Sequence, residues 1–214
     1  MSVPRLTTEL TAELLTLGSA TIYEASGLDC YLPATLRPVW AGAGVVGTAL
    51  PVRTAAGDNL PLHLALEQAA DGEVLVVDAA AAPHGYWGEV LTVAAQQRGV
   101  LGLVIDGGVR DTAQLEQLGF PVWSSSVALR GTGKGDAGTV GEPLTLGVAP
   151  VARGDLVVGD ADGVVVVPAH RVPDVLTAAR ARAAKEAGYL DRLRAGETTM
   201  AVYGFARTGG AVAD

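Results

Sequence analysis

The chain has 214 residues, enough for one sizeable domain and short for two. It is 49% hydrophobic and 18% charged, with 28 glycines, few aromatics and a single cysteine, Cys30, so its core must be built from Val, Leu and Ala and neither an intrachain disulfide nor a multi-cysteine metal site is available. A net charge of −8 and a pI near 4.8 argue against a broad nucleic-acid or anionic-membrane surface.

Met1-Ser2-Val3-Pro4-Arg5 leads into a polar helix rather than a signal segment, and no apolar run approaches the roughly 18 residues that span a bilayer. Together with the lone cysteine this fits a cytoplasmic protein, and Cys30 itself reads as buried filler. Residues 8–17 read as a helix ended by Gly18, and Ser19 can cap a second helix to about Ser26. Residues 43–53 read as a strand with a late proline. Gly57-Asp58-Asn59 opens a helix to about Ala70, Val74–Val77 is a strand ended by Asp78, and a small-residue loop runs from Ala79 to Tyr86. Trp87–Gln97 is helical, residues 100–105 form a strand, 112–119 a short helix, and Pro121-Val122-Trp123-Ser124 starts another strand. The alternation implies parallel strands joined by right-handed crossovers.

After residue 126 the pattern changes. Gly131-Thr132-Gly133-Lys134-Gly135-Asp136 reads as a mobile, turn-rich loop. It lacks the spacing of a phosphate loop, and no helix pattern follows it. Short strands are expected at 144–148, 156–159 and 164–167, the last two joined by Asp160-Ala161-Asp162-Gly163, and a long Ala- and Arg-rich helix runs from His170 to about Ala195. No linker, repeat or low-complexity block divides residues 1–214. They read as one α/β domain whose C-terminal helix (170–195) packs on a neighbouring subunit.

The most informative stretch is Ile105-Asp106-Gly107-Gly108-Val109-Arg110-Asp111, where a buried strand hands over to a helix. α/β folds commonly bind small anions at such junctions. Asp111 can hold a hard cation or serve only as a helix cap; Arg110 can hold a carboxylate or enolate oxygen or form only a surface ion pair. Gly85-Tyr86-Trp87-Gly88-Glu89-Val90-Leu91 opens the preceding helix, whose free N–H groups should face the same end of the sheet. Gly88 would let a ligand approach, and Glu89 adds an acid or merely complements the helix dipole. Together these groups describe a pocket for a metal-bound oxo acid. His63, His84 and His170 lack metal-ligand spacing, although His84 could face this pocket. Ser124-Ser125-Ser126 reads as polar strand-end residues, and Lys185-Glu186 as solvated charges. No strand is followed by a glycine-rich loop suited to S-adenosylmethionine.

Gly57-Asp58-Asn59, Trp87-Gly88-Glu89, Val104 to Asp111, Gly119-Phe120-Pro121-Val122-Trp123 and Gly154-Asp155-Leu156 through Pro168 form an ordered set over roughly residues 40–170. That set resembles the family of 4-hydroxy-4-methyl-2-oxoglutarate aldolases and the related RraA-like proteins, regulators of RNase E. The resemblance implies an αββα sandwich of the swivelling β/β/α type, assembled as a trimer or hexamer with its site between subunits. It also implies a magnesium or manganese ion (Mg2+ or Mn2+) and a small 2-oxo acid substrate.

Carried over residue by residue, Asp111 ligates the metal and Arg110 contacts the oxo group. The backbone from Gly88 through Val90 to Leu91 holds the carboxylate. Glu89 orders metal-bound water, and Glu186 of the next subunit contributes through water. Gln114 stands where active aldolases of the family carry an acid, three residues after the motif aspartate. This favours oxaloacetate decarboxylation over retro-aldol cleavage of 4-hydroxy-4-methyl-2-oxoglutarate or 4-carboxy-4-hydroxy-2-oxoadipate. The rival reading is a non-catalytic ring that binds a ribonuclease or RNA helicase. That regulator branch lacks an acid at the position of Glu89, which this chain keeps.

Overall fold

The structure, a computed structural model, describes residues 6–205, so the reading of Met1–Arg5 lies outside the described residues. In chain order its elements are α1 (Thr8–Ser26), β1 (Arg37–Pro38), β2 (Val45–Arg53), α2 (Leu60–Gln68), β3 (Glu73–Trp87), α3 (Glu89–Gln97), β4 (Gly102–Val109), α4 (Thr112–Gln117) and β5 (Val122–Val127). Then come β6 (Thr139–Val140), β7 (Leu144–Leu146), β8 (Ala149–Val151), β9 (Leu156–Gly159), β10 (Val164–Val167), a 3-10 turn at Ala169–Arg171, α5 (Val172–Arg194) and α6 (Thr199–Tyr203).

β2, β3, β4 and β5 pair in parallel, in the order expected of consecutive crossovers. β9 and β10 extend the sheet antiparallel beyond β2, β1 closes the far edge on β5, and β7–β8 form a separate hairpin. Successive strand side chains point to opposite faces, so each strand feeds two cores. Leu75, Leu103 and Ile105 pack under α2, α3 and α4 with Leu62, Leu91 and Leu115. Val74, Val76, Val104 and Trp123 meet Val157, Val166 and the β7–β8 hairpin in a central core. Val158, Val165 and Val167 pack under α1 and α5 against Leu14, Ile22 and Val175. The resulting layers are helix, sheet, sheet and helix, with the sheet curling between them. β2 is the corner, with Val45 and Ala49 in the central core, Val46 under α1 and α5, and Leu50 and Val52 under α2.

α1 breaks at Gly18, whose φ of 76° and ψ of 158° leave the helical region. The N–H and Oγ of Ser19 both donate to the Asp160 carboxylate, at 2.6 and 2.7 Å, so a side chain from the β9–β10 turn caps the second half of α1. The N–H groups of Asp162 and Gly163 donate to the same carboxylate at 2.9 and 3.3 Å, and Trp123 Nε1 donates to the Asp160 carbonyl at 2.9 Å. Burial tends to raise the Asp160 carboxyl, but these four donors outweigh it and hold it below its ordinary value. A depressed folded-state value means stability that is present above the ordinary carboxylate range and lost as pH falls through it. We expect Asp160→Ala to cost about 2 kcal/mol near neutral pH, measured by urea denaturation. The gap to the unaltered chain should shrink at pH 3 and below.

Several boundaries depart from expectation. β3 does not stop at Asp78: it continues to Trp87, with register shifts between Asp78 and Ala82 and between Ala82 and Trp87. Ala80 and Ala81 turn through positive φ at the first shift. β4 likewise runs to Val109 through buried Gly107 and Gly108, and α3 begins at Glu89 rather than Trp87. The final helix opens with the 3-10 turn, and α6 was not foreseen; it is held by Arg192, which binds Glu197 and donates to the Val202 carbonyl. No helix among the described residues is long and apolar enough to cross a membrane.

Candidate active site

The register of two neighbouring strands assembles the site. Trp87 pairs with Val109, so the next residues, Gly88 and Arg110, emerge side by side, and the Arg110 N–H donates to the Trp87 carbonyl at 2.9 Å. Trp87 is fixed by its indole N–H, which donates to Thr92 Oγ1 at 2.7 Å, and by stacking on Phe120. α3 and α4 therefore both start at the carboxyl ends of β3 and β4, as the sequence implies.

Asp111 sits in the left-handed region (φ 56°, ψ 37°) and makes no side-chain bond to its own helix. The simple capping role is thus excluded for α4. Its carboxylate turns instead to α3, where Oδ2 accepts the Glu89 N–H at 3.1 Å and lies 3.7 Å from Arg110 Nε. Gly88 makes this approach possible. Its backbone is extended, a conformation any residue adopts, but a Cβ there would overlap Asp111 Oδ2 and lie 3.1 Å from Arg110 Cγ. A side chain at this position is accommodated only by moving the Asp111 carboxylate. The Val90 and Leu91 N–H groups lie in the first turn, where the helix supplies no acceptor.

These groups line a cavity of about 370 Å³, within the ~300–1,000 Å³ range typical of small-molecule sites. Its wall contains Gly88, Val90, Leu91, Arg110 and Asp111, joined by Asn59, His63, Thr132 and Lys134. Glu89 contributes its N–H to Asp111, and its side chain stays outside the wall. Gln114 is exposed on α4 and also lies outside the wall. His84, expected as a possible wall residue, packs instead against Gly57 and edge-on to Tyr86, because the extended β3 turns it away from the cavity. Glu186 lies on α5, the helix that packs on α1, where it pairs with Arg182 at 2.9 Å; within its own chain it is not brought to the cavity. Cys30 is buried and its thiol is pushed up by burial, consistent with filler.

The sequence reading missed the contribution of residues 131–136, which are neither loose nor remote. Gly133 N–H donates to the Gly57 carbonyl at 2.7 Å and Asn59 N–H to the Gly133 carbonyl at 3.0 Å. Gly135 and Asp136 N–H groups both donate to Asp58 Oδ2, at 2.6 and 3.2 Å, while Oδ1 takes the Leu60 N–H. Donation from Gly135 and Leu60 holds the Asp58 carboxyl below its ordinary value. His63 is held below its ordinary value by burial and, secondarily, by Lys134.

The RraA-like family (Aldolase/RraA) matches residues 19–166, which include every wall residue just described. This chain belongs to the RraA-like family. A relative from Halalkalibacterium halodurans, named "Putative 4-hydroxy-4-methyl-2-oxoglutarate aldolase", is 34% identical over 156 residues, covering 72% of this chain and 74% of its own. Streptomyces coelicolor RraAS2, described as an unusual member of the RNase ES inhibitor RraA protein family, superposes with a TM-score of 0.73 at 27% identity, covering 89% of this chain and all of that one. The RNA-processing inhibitor RraA from Thermus thermophilis superposes at 0.60 with 27% identity, covering 64% and 84%. This RraA-like chain thus shares its fold with relatives named for inhibition and aligns with one named for aldol chemistry.

Proposed function

We propose that this RraA-like protein is a lyase acting on 2-oxo acids through a pyruvate enolate, using Mg2+ or Mn2+. The observation that carries the reading is the Asp111 carboxylate, held at a left-handed backbone against the Glu89 N–H and beside Arg110. Non-glycine residues at positive φ cluster at functional sites, and this one carries its carboxylate into the cavity wall beside Arg110. The residues fit a magnesium-like ion. Such an ion keeps several waters and needs only one or two carboxylates, and Asp111 supplies one. An all-protein cage does not fit, because no group of three His, Cys, Asp or Glu side chains that could hold a metal exists among the described residues. Bound at Asp111, the ion would supply Lewis-acid stabilisation to the 2-oxo group.

The chain's own groups supply the rest. The open Val90 and Leu91 N–H groups bind the substrate carboxylate at the positive end of α3. When the carbon–carbon bond breaks, its electron pair moves onto the keto oxygen, and the Arg110 guanidinium faces that developing charge. Gly88 keeps the approach open. The Glu89 side chain lies outside the wall, so its assigned part is to order, from the rim, the water that returns a proton to the former C3 carbanion. Glu186, remote from the cavity of its own chain, is assigned to the site of a neighbouring subunit in a trimer or hexamer. Oxaloacetate decarboxylation asks nothing of a substrate hydroxyl, so Gln114 favours it over retro-aldol cleavage.

The test is pyruvate release from oxaloacetate and from 4-hydroxy-4-methyl-2-oxoglutarate, with Mg2+ and with chelator. Metal-dependent release is expected. Arg110→Lys should lower both reactions about a hundredfold, because an ammonium does not reproduce a planar two-pronged donor. No release from either substrate with any divalent ion would leave the regulator reading, in which the ring binds a ribonuclease or helicase.

A further inference from the structure

Residues 131–136 supply Gly131, Thr132 and Lys134 to the cavity wall, yet no buried apolar side chain holds them there. Thr132 is half-buried, and the other five are exposed. Three of the six are glycines, the residues that lose most freedom on ordering. A segment of this kind opens readily unless hydrogen bonds close it. Two main-chain bonds, to Gly57 and Asn59, pin its middle at Gly133. Beyond them the Asp58 carboxylate takes the Gly135 and Asp136 N–H groups, and among the described residues no other side chain from outside the segment bonds to it. We propose that residues 131–136 form a strap over the cavity and that Asp58 is its fastening, a positioning residue that sets the affinity of the site for its small acid. The affinity role rests on the lyase reading, and the fastening itself does not.

Asp58 itself lies outside the cavity wall, so it acts through what it holds. Its Oδ1 accepts the Leu60 N–H at 2.9 Å, at the start of the helix that carries His63, and its Oδ2 holds the strap that carries Lys134. One carboxylate thus ties together two separate parts of the wall. A charged acceptor also makes stronger bonds than the neutral carbonyls at Gly133. Without it, residues 134–136 have no attachment to the body of the protein until β6 rejoins β2 at Thr139. Substrate and protease then sense the same equilibrium. If the unfastened strap is closed about a tenth of the time, apparent affinity falls about tenfold, because binding must first close it. Cleavage needs the open form and speeds up by at least as much.

The deciding experiment is limited trypsin digestion of the full-length protein, with cleavage after Lys134 followed by mass spectrometry, beside oxaloacetate kinetics with Mg2+. Asp58→Ser is the informative variant. Its hydroxyl can still accept the Leu60 N–H, as serine does in turns, but is too short to hold Gly135 as well. The start of α2 is therefore kept, and melting should stay within a few degrees of the unaltered protein. Cleavage after Lys134 should become at least about tenfold faster, while cleavage after the exposed Arg98 at the end of α3 stays unchanged. KM should rise about tenfold with kcat within about twofold, because Arg110 and Asp111 are untouched. Asp58→Asn, which keeps one amide oxygen, should fall between the two proteins. Cleavage after Lys134 no faster in Asp58→Ser, an equal rise after Arg98, or faster cleavage with KM unchanged would overturn the inference. Two further outcomes separate it from the lyase reading. Faster cleavage in Asp58→Ser with no turnover even by the unaltered protein removes the lyase and the affinity role and keeps the fastening; turnover with cleavage and KM both unmoved by Asp58→Ser removes the strap alone.

Discussion

Gly88→Ala should abolish most of the activity while leaving the protein folded. The extended backbone at Gly88 suits alanine, so nothing local resists the change. The obstacle is across the site, because the new methyl group would occupy the place of Asp111 Oδ2 and crowd Arg110 Cγ at 3.1 Å. The carboxylate is the group that must yield, since it is partly exposed while Trp87 and Thr92 behind Gly88 are buried and bonded to each other. Its displacement breaks the bond to the Glu89 N–H and pulls the oxygen to which metal binding is assigned under the proposed function from its place. Misplacing a reacting group by about 1 Å can cost ~10²-fold in rate. We therefore expect turnover to fall at least about a hundredfold, with melting within a few degrees of the unaltered protein. Full activity in this variant would show that the Asp111–Glu89 contact plays no part in the chemistry.

Asp111→Asn separates charge from shape. Asparagine tolerates the left-handed backbone and still offers an amide oxygen to the Glu89 N–H. Stability should therefore change by less than about 1 kcal/mol, whereas Asp111→Ala adds the cost of holding an ordinary residue at φ 56°, about 1–3 kcal/mol. Under the proposed function, turnover should be lost in both, along with the upward shift in melting temperature expected of Mg2+ bound to the folded state. Retained turnover in Asp111→Asn, with Mg2+ still raising the melting temperature, would reduce Asp111 to a polar clasp between β4 and α3.

The sequence made much of this legible because alternation and strand–helix handovers are local signals. The parallel strands, the break at Gly18 and the junction at Arg110–Asp111 all follow from residues within a few positions of one another. The errors share a cause. The strand is expected to end at residue 105, before Gly107-Gly108, because glycine pairs usually interrupt strands, yet here it continues; a Cβ on Gly108 would sit 2.5 Å from the His84 carbonyl. The small residues from Ala79 to Ala82 show no alternation, so the irregular extension of β3 is hidden, and with it the direction of His84. The 131–136 loop looked mobile because its anchor, Asp58, lies 77 residues before Gly135. Spacing alone does not announce a bond between a helix-opening aspartate and a loop so far along the chain.

β2 has a further consequence. Its side chains enter all three hydrophobic clusters, and it pairs with β3 on one edge and β9 on the other. No layer can detach without stripping this strand of a neighbour and exposing apolar surface that another layer also needs. Opening is thereby least costly at elements that β2 does not touch, such as α6 at the end of α5. The layers therefore hold or fail together, which keeps the braced 131–136 loop and the first turn of α3 in fixed register at the cavity.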